Sequence, residues 1–169
     1  VPGSRVAVVG AGALGLLAAA GALRMGAAEV ALEARHPHQR EAGAHLGASV
    51  GTSGVYDVVV EAAGSLESLA RCGELVAPGG SIVVPGVHFG PVQLEWHPLF
   101  AKEARVIPSL GYCAHDGVRE FDEAAAMLAA DPEIARTVIT HRFPLEDAEE
   151  AFRVASDRSG GAIRVVLEP

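Results

Sequence analysis

The chain has 169 residues, half of them hydrophobic and a fifth charged, with 13 Lys and Arg against 21 Asp and Glu for a net charge of -8. That length holds one domain, or one plus an extension, with a proper core, and the composition excludes a disordered chain. The acidic balance, with no basic cluster and Lys102 as the single lysine, argues against nucleic acid as a partner.

Arg5 to Arg35 reads as strand, tight turn, helix, strand. An apolar run at Val6–Val9 meets a glycine cluster, then a long alanine/leucine segment, then a second apolar run at Val30–Leu32. Gly10, Gly12 and Gly15 fill the G-x-G-x-x-G spacing of a dinucleotide-binding turn. The first glycine allows the sharp turn, the second lets a pyrophosphate approach bare backbone, and the third lets the helix pack closely on the strand. The helix opens at about Ala13 and directs its unpaired N–H groups at the phosphates. Leu14, Leu17, Ala18, Gly21 and Met25 make one apolar stripe and the opposite face is also mostly Ala and Leu, the pattern of a helix buried against a sheet.

Val6 to Leu23 is an uncharged run of 18 residues, long enough for a membrane span or a signal-peptide core. Its four glycines and the continuing alternation of strands and helices favour a soluble interior and no membrane. Cys72 and Cys113 form no disulfide framework and fit a reducing, cytoplasmic compartment. The chain begins with Val1 rather than methionine and reads as a piece of something longer.

His36–Leu46 carries a helical pattern, Ser49–Val50 is a short strand, and Asp57–Glu61 is a continuous apolar run fit for a buried parallel strand. Leu66–Val76 is expected as a helix stopped by Pro78-Gly79-Gly80, with Ser81–Pro85 the fifth strand. His97–Ala104 reads as a short helix and Arg105–Leu110 as the sixth strand. Val118–Ala130 has a helical period, and Val138–Phe143, Leu145–Ala155 and Ala162–Leu167 read strand, helix, strand. The alternation predicts an α/β fold with a doubly wound parallel sheet, order 3-2-1-4-5-6, helices on both faces, and a C-terminal strand-helix-strand extension.

VAVVGAGALGLLAAAGALRMGAAEVAL, HLGAS, YDVVVEAAGS, LVAPGGSIVVPGV, THRFPLEDAEEAF and the terminal GGAIRVVLEP together resemble the cofactor-binding Rossmann domain of medium-chain, zinc-type alcohol dehydrogenases. The resemblance covers essentially the whole chain in the family's order. It implies an alcohol or carbonyl oxidoreductase that transfers hydride to or from a nicotinamide dinucleotide. It also implies a GroES-like catalytic domain, carrying the zinc, on the N-terminal side and outside this chain. On that reading residues 1–136 are the dinucleotide-binding domain and 137–169 the segment that returns to the catalytic domain. The fragment alone is expected to be inactive.

Carried over residue by residue, Gly10, Gly12 and Gly15 match the family's pyrophosphate turn, with the amides of Ala13 and Leu14 facing the phosphates. Arg164 matches an arginine that meets the pyrophosphate in some members. Val84, Val87, Ser109 and Gly111 match positions lining the nicotinamide. Family members also commonly dimerise through the sixth-strand edge, so a homodimer through Arg105–Leu110 is expected. Pro108, which cannot donate to a ladder, is expected at an unpaired position or a bulge.

The choice of nicotinamide turns on the end of the second strand, where an acid normally holds the ribose hydroxyls of NAD and an arginine accommodates the phosphate of NADP. Glu33 is the available acid, but the family's position, nineteen residues after the third glycine, falls on Ala34. Successive strand residues face opposite ways, so the offset points Glu33 away from the ribose. Ala34 followed by Arg35 and His36 resembles the NADP pattern, with Arg35 as a charge-assisted fork for the phosphate. NADP is favoured, and Glu33 keeps NAD open.

Other chemistries fit less well. The single lysine has Pro98 four residues before it, which excludes a Tyr-x-x-x-Lys pair, and no G-K-[ST] marks a P-loop. His36 and His38 read as solvated loop residues rather than metal ligands. Glu61 reads as a hydrogen-bonded strand-end carboxylate before a general base. Two alternatives stay open: a nucleotide-sensing module without catalysis, and an S-adenosylmethionine methyltransferase, which the third glycine disfavours.

Overall fold

The computed structural model describes residues 2–157 and 159–169; Val1, where the expected first domain begins, lies outside them. β1 (Arg5–Val9), α1 (Ala13–Arg24), β2 (Glu29–Glu33), α2 (Pro37–His45), β3 (Ser49–Val50), β4 (Tyr56–Glu61), α3 (Leu66–Leu75), β5 (Val76–Val84), α4 (Trp96–Ala101) and β6 (Arg105–Pro108) alternate along the chain. The six strands form one parallel sheet in the order β3-β2-β1-β4-β5-β6. This is the doubly wound α/β sheet that the alternation predicts.

Two cores flank the sheet, and strand parity decides which side chain joins which. Val6, Val8, Val30 and Leu32 face Leu16 of α1 and Ala42 of α2. Ala7, Val9, Ala31 and Val59 face Leu69 and Cys72 of α3 and Leu99 of α4. Burial on both faces is what the unbroken apolar runs of these strands require. Each fully buried valine or leucine contributes roughly 1.5–3 kcal/mol.

Helix α1 is buried against the sheet as expected, and of its two apolar faces it turns the one through Leu16 and Ala19 inward, with Leu17 packed at its margin. Gly15, Leu16, Ala19, Ala20 and Ala22 are buried, whereas Leu14 and Met25 are 54% and 61% exposed. A helix apolar on all sides has no periodicity to choose a face. Gly15, the one residue small enough to touch the turn before it, makes the choice.

α3 ends at Leu75, and β5 starts at Val76 and runs through Pro78-Gly79-Gly80 rather than after it. Tyr56 pairs with Val76 but Val58 pairs with Ser81, so a bulge absorbs the extra residues. Gly79 supplies φ +72 there, and its N–H donates to the Lys102 carbonyl at 2.6 Å.

Beyond β6 the structure adds a two-stranded hairpin and a helix that the periodicity missed. β7 (Ala114–His115) and β8 (Val118–Arg119) form a hairpin, so α5 begins at Glu120, not Val118. Asp116 and Gly117, both at positive φ, are the Asp-Gly pair that a two-residue hairpin turn prefers. α6 (Pro132–Val138) follows α5 (Glu120–Ala130), with Asp131 accepting from the Glu133 N–H as cap and proline in the first turn.

The C-terminal extension is β9 (Ile139–Pro144), a 3-10 turn at Leu145–Asp147, α7 (Ala148–Ser156) and β10 (Arg164–Glu168). β9 and β10 pair in parallel as a separate two-stranded sheet. The expected boundary at 136/137 falls inside α6, whose Val138 is buried with Val6 and Leu16. The extension is therefore anchored in the main core. No helix among the described residues is long and apolar enough to cross a membrane.

Candidate functional site

The strand order reverses between β1 and β4, and a cleft of about 1080 Å³ opens beside the carboxyl ends of β1, β2 and β4. Loops leaving the two strands at a reversal diverge, which is why open parallel sheets take ligands there. Gly10 and Gly12, the Glu33–His36 turn, and Ala63, Ser68 and Arg71 line it; Ala155, Ala162 and Ile163 of the extension complete it.

The three glycines have different reasons to be glycine. Gly10 leaves β1 at φ +104, and a Cβ there would stand 2.9 Å from Ala63 Cβ. At Gly15 a Cβ would stand 1.8 Å from the Gly10 carbonyl oxygen. Gly12 has an ordinary φ of -73° and nothing within 4 Å of a Cβ. Neither backbone geometry nor packing within the chain demands a glycine at 12. The backbone at Gly12 is therefore open to approach from the cleft.

The Leu16 N–H donates to the Gly12 carbonyl at 3.0 Å, closing the first turn of α1. The amides of Ala13, Leu14 and Gly15 precede that bond and have no intrahelical acceptor. The helix dipole adds about half a positive charge at the same end. The open glycine, the amides and the dipole make this end of the cleft receptive to an anion.

At the other end of the cleft, Arg71 of α3 grips Glu33. Its Nε donates to Oε1 at 3.0 Å and to Oε2 at 3.3 Å, and its Nη2 donates to Oε1 at 2.8 Å. The Thr52 hydroxyl also donates to Oε1. Burial pushes the Glu33 carboxyl up, but the Arg71 and Thr52 hydrogen bonds outweigh it and hold the group below the usual carboxylate range. The Arg71 guanidinium is raised by hydrogen bonding to Glu33 and then to Glu74. Glu33 shares the strand face of Ala31, toward α3, while Ala34 packs against the core beneath α1.

Arg35 is exposed at the cleft, and among the described residues its guanidinium has no partner. Arg40 of α2, which no sequence motif marks, holds the turn. Its Nε donates to the Ala34 carbonyl at 3.1 Å and its Nη2 to the Arg35 carbonyl at 2.9 Å. His36 is not a free loop residue. It caps α2, its amide donates to Gln39 Oε1 at 3.3 Å, and its ring stacks on His38 with centroids 5.5 Å apart.

Glu61 ends β4 fully buried. Oε1 accepts from the amides of Ala63 and Gly64 at 2.9 and 2.8 Å and from the Ser68 hydroxyl at 2.6 Å. Oε2 lies 3.1 Å from His88 Nε2. Burial pushes this carboxyl up, yet the bonds from Ser68, His88, Gly64 and Ala63 together hold it below the usual range. With its lone pairs engaged, Glu61 braces the β4–α3 loop against the loop after β5.

The remaining sequence-predicted residues lie outside the cleft. Val84 ends β5 half-buried, and Val87, Ser109 and Gly111 are exposed beyond the ends of β5 and β6. Arg164 opens β10 on the surface, its carbonyl accepting from the Thr140 hydroxyl at 3.3 Å. Its neighbours Ala162 and Ile163 line the cleft instead. Among the described residues no group of three His, Cys, Asp or Glu is arranged to hold a metal ion, so no zinc chemistry is derived from this chain.

Residues 14–161 match the family described as zinc-binding dehydrogenase. The chain belongs to the zinc-binding dehydrogenase family. It is 28% identical over 184 residues to L-threonine 3-dehydrogenase of Saccharopolyspora erythraea, covering 99% of this chain and 52% of that protein. An alcohol dehydrogenase of Thermotoga maritima superposes with a TM-score of 0.85 at 25% identity, over 99% of this chain and 50% of its own. A Sinorhizobium meliloti 1021 protein described as a zinc-binding dehydrogenase, solved bound to NADP, gives 0.79 at 26% identity, over 99% and 53%. This family member thus spans about half the length of the curated relatives it matches.

Proposed function

We propose that this chain is the nicotinamide-dinucleotide-binding half of an NAD(P)-dependent oxidoreductase that interconverts an alcohol and a carbonyl compound. Gly12 carries the reading: it is a glycine that the chain itself does not need, at a helix N-terminus, in the cleft where the strand order reverses. The family supports the same reading and sets the methyltransferase alternative aside.

On this reading the amides of Ala13, Leu14 and Gly15 receive the pyrophosphate, and Glu33 to His36 receive the adenosine ribose. The nicotinamide, which supplies the hydride chemistry, extends toward Val84, Val87, Ser109 and Gly111 at the ends of β5 and β6. The substrate site and a zinc Lewis acid come from a catalytic domain outside this chain, and the 137–169 segment forms part of the contact with it. NADP is favoured over NAD, because Glu33 is engaged by Arg71 while Arg35 lines the cleft with no partner among the described residues. The two free cysteines suit a cytoplasmic protein.

Fluorescence titration with NADPH and NADH tests the assignment. Saturable binding of a reduced nicotinamide nucleotide, lost in Gly12→Val, is expected. Binding of neither nucleotide refutes it, and turnover of an alcohol by this chain alone refutes the division of labour.

A further inference from the structure

Glu33 is the acid at the carboxyl end of β2, one residue before the position whose acid normally holds the ribose hydroxyls of NAD, and it lines the cleft beside Ala34 and Arg35. Its carboxylate is occupied from within the chain. Oε1 accepts three donors, Arg71 Nε, Arg71 Nη2 and the Thr52 hydroxyl, and Oε2 accepts Arg71 Nε at 3.3 Å. Arg71 is fixed in turn by Nη1 donating to Glu74 Oε2 at 2.6 Å and Nη2 donating to the Thr52 hydroxyl at 3.1 Å.

The four residues come from three parts of the chain: Glu33 from β2, Thr52 from the loop after β3, and Arg71 and Glu74 from α3. Both charged side chains remain partly open to the cleft, Arg71 at 39% and Glu33 at 27% exposure. An ion pair that open contributes little to stability. Its consequence is local: it neutralises the one acidic group at the end of β2 and turns its lone pairs toward α3.

We propose that Arg71 is a specificity-determining residue, which withdraws Glu33 from the ribose subsite and so leaves that subsite to a 2′-phosphate on the nucleotide. This rests on the dinucleotide reading above. Arg35 and Arg40 then dominate the charge around the incoming group, since Arg71 is balanced by Glu33 and Glu74. Arg71 is a positioning residue: it acts on the nucleotide through the carboxylate it holds.

The test compares the ratio of NADH to NADPH dissociation constants for the wild type, Arg71→Met and the Arg71→Met/Glu33→Gln double variant, at one fixed ionic strength. Thermal denaturation of each variant verifies folding. In Arg71→Met the released carboxylate is expected to weaken NADPH and retain or tighten NADH, moving the ratio toward NADH by about tenfold, the scale of one charge-assisted contact. The double variant is expected to return toward the wild-type ratio, because the carboxylate charge is gone. A merely structural role would weaken both nucleotides alike.

A ratio within about twofold of wild type in Arg71→Met overturns the inference and leaves the dinucleotide reading standing. So does a shift toward NADPH, which would mean that Arg71 presents Glu33 to the ribose. A double variant that fails to recover likewise overturns it. Binding of neither nucleotide by the wild type overturns both readings together.

Discussion

A Cβ on Gly15 would lie 1.8 Å from the carbonyl oxygen of Gly10, so the turn and the helix that follows it touch backbone to backbone. Gly15→Ala must move one of them, and a destabilisation of about 3 kcal/mol or more is expected by urea denaturation. Gly12→Ala meets nothing within 4 Å at φ -73. It is expected to change stability by no more than about 1 kcal/mol, in the stabilising direction, and to weaken nucleotide binding at least tenfold (about 1.4 kcal/mol). Equal effects of the two substitutions on stability would contradict this division of roles.

The buried Glu61 predicts the acid limb of the stability curve. Its folded pKa lies below the ordinary value, through the hydrogen bonds that outweigh burial. The unfolded state therefore takes up protons first, and stability present above about pH 4.3, the unfolded value, is lost as pH falls toward the folded value. Glu33, lowered in the same sense by Arg71 and Thr52, adds to the loss over the same window. Glu61→Gln is expected to cost about 1–3 kcal/mol at pH 7 by leaving buried donors mismatched, and to flatten the decline below pH 4.3. An unchanged acid slope in that variant would show that Glu61 is not the group responsible.

Arg35 has no partner among the described residues and faces the cleft. If it meets the 2′-phosphate, Arg35→Ala should weaken NADPH by about 10- to 150-fold, matching roughly 1.5–3 kcal/mol for a hydrogen bond to a charged group. NADH should bind as before. Equal loss for both nucleotides in a titration would place Arg35 elsewhere in the site.

The two cysteines should behave differently toward a thiol reagent. Burial, then the nearby charges of Glu61 and Glu33, push the Cys72 thiol up to about 12, and the residue has no exposed surface. Cys113 is exposed. A chromogenic disulfide at pH 8 should titrate one thiol promptly in the native chain and the second only on unfolding. Two fast thiols would mean that the α3 face of the sheet opens.

β6 is an edge of the sheet, with Ile107 44% exposed. Pro108 is in register with Val84 and lies at no bulge between β5 and β6. The next amide, Ser109, donates to the Val84 carbonyl at 3.0 Å, so alternation turns the proline nitrogen to the open side. Edge pairing between two copies is proposed, and Ile107→Lys should shift sedimentation from dimer to monomer. A wild type that stays monomeric at high micromolar concentration would argue against it.

The order of the sheet, the glycine turn that opens α1 and the family resemblance were legible from residue order alone. Parallel strands buried on both faces must be unbroken apolar runs, and a turn packed backbone to backbone on its helix must be glycine. These constraints are local, so they are written in consecutive residues. The Asp-Gly hairpin and the Asp-Pro start of α6 were written there too, in turn chemistry rather than in periodicity.

What only the tertiary structure decided lies between elements. The face that α1 buries depended on a contact with Gly10, because an all-apolar helix has no stripe of its own. The partner of Glu33 stands 38 residues away, at the spacing of no motif, and is brought to it by packing α3 on one side of β2. Ala162 and Ile163, not the Arg164 beside them, reach the cleft because the path of the extension back to the sheet sets which residues face it. Charge pairing across a sheet depends on how layers are stacked, and no run of neighbouring residues encodes that.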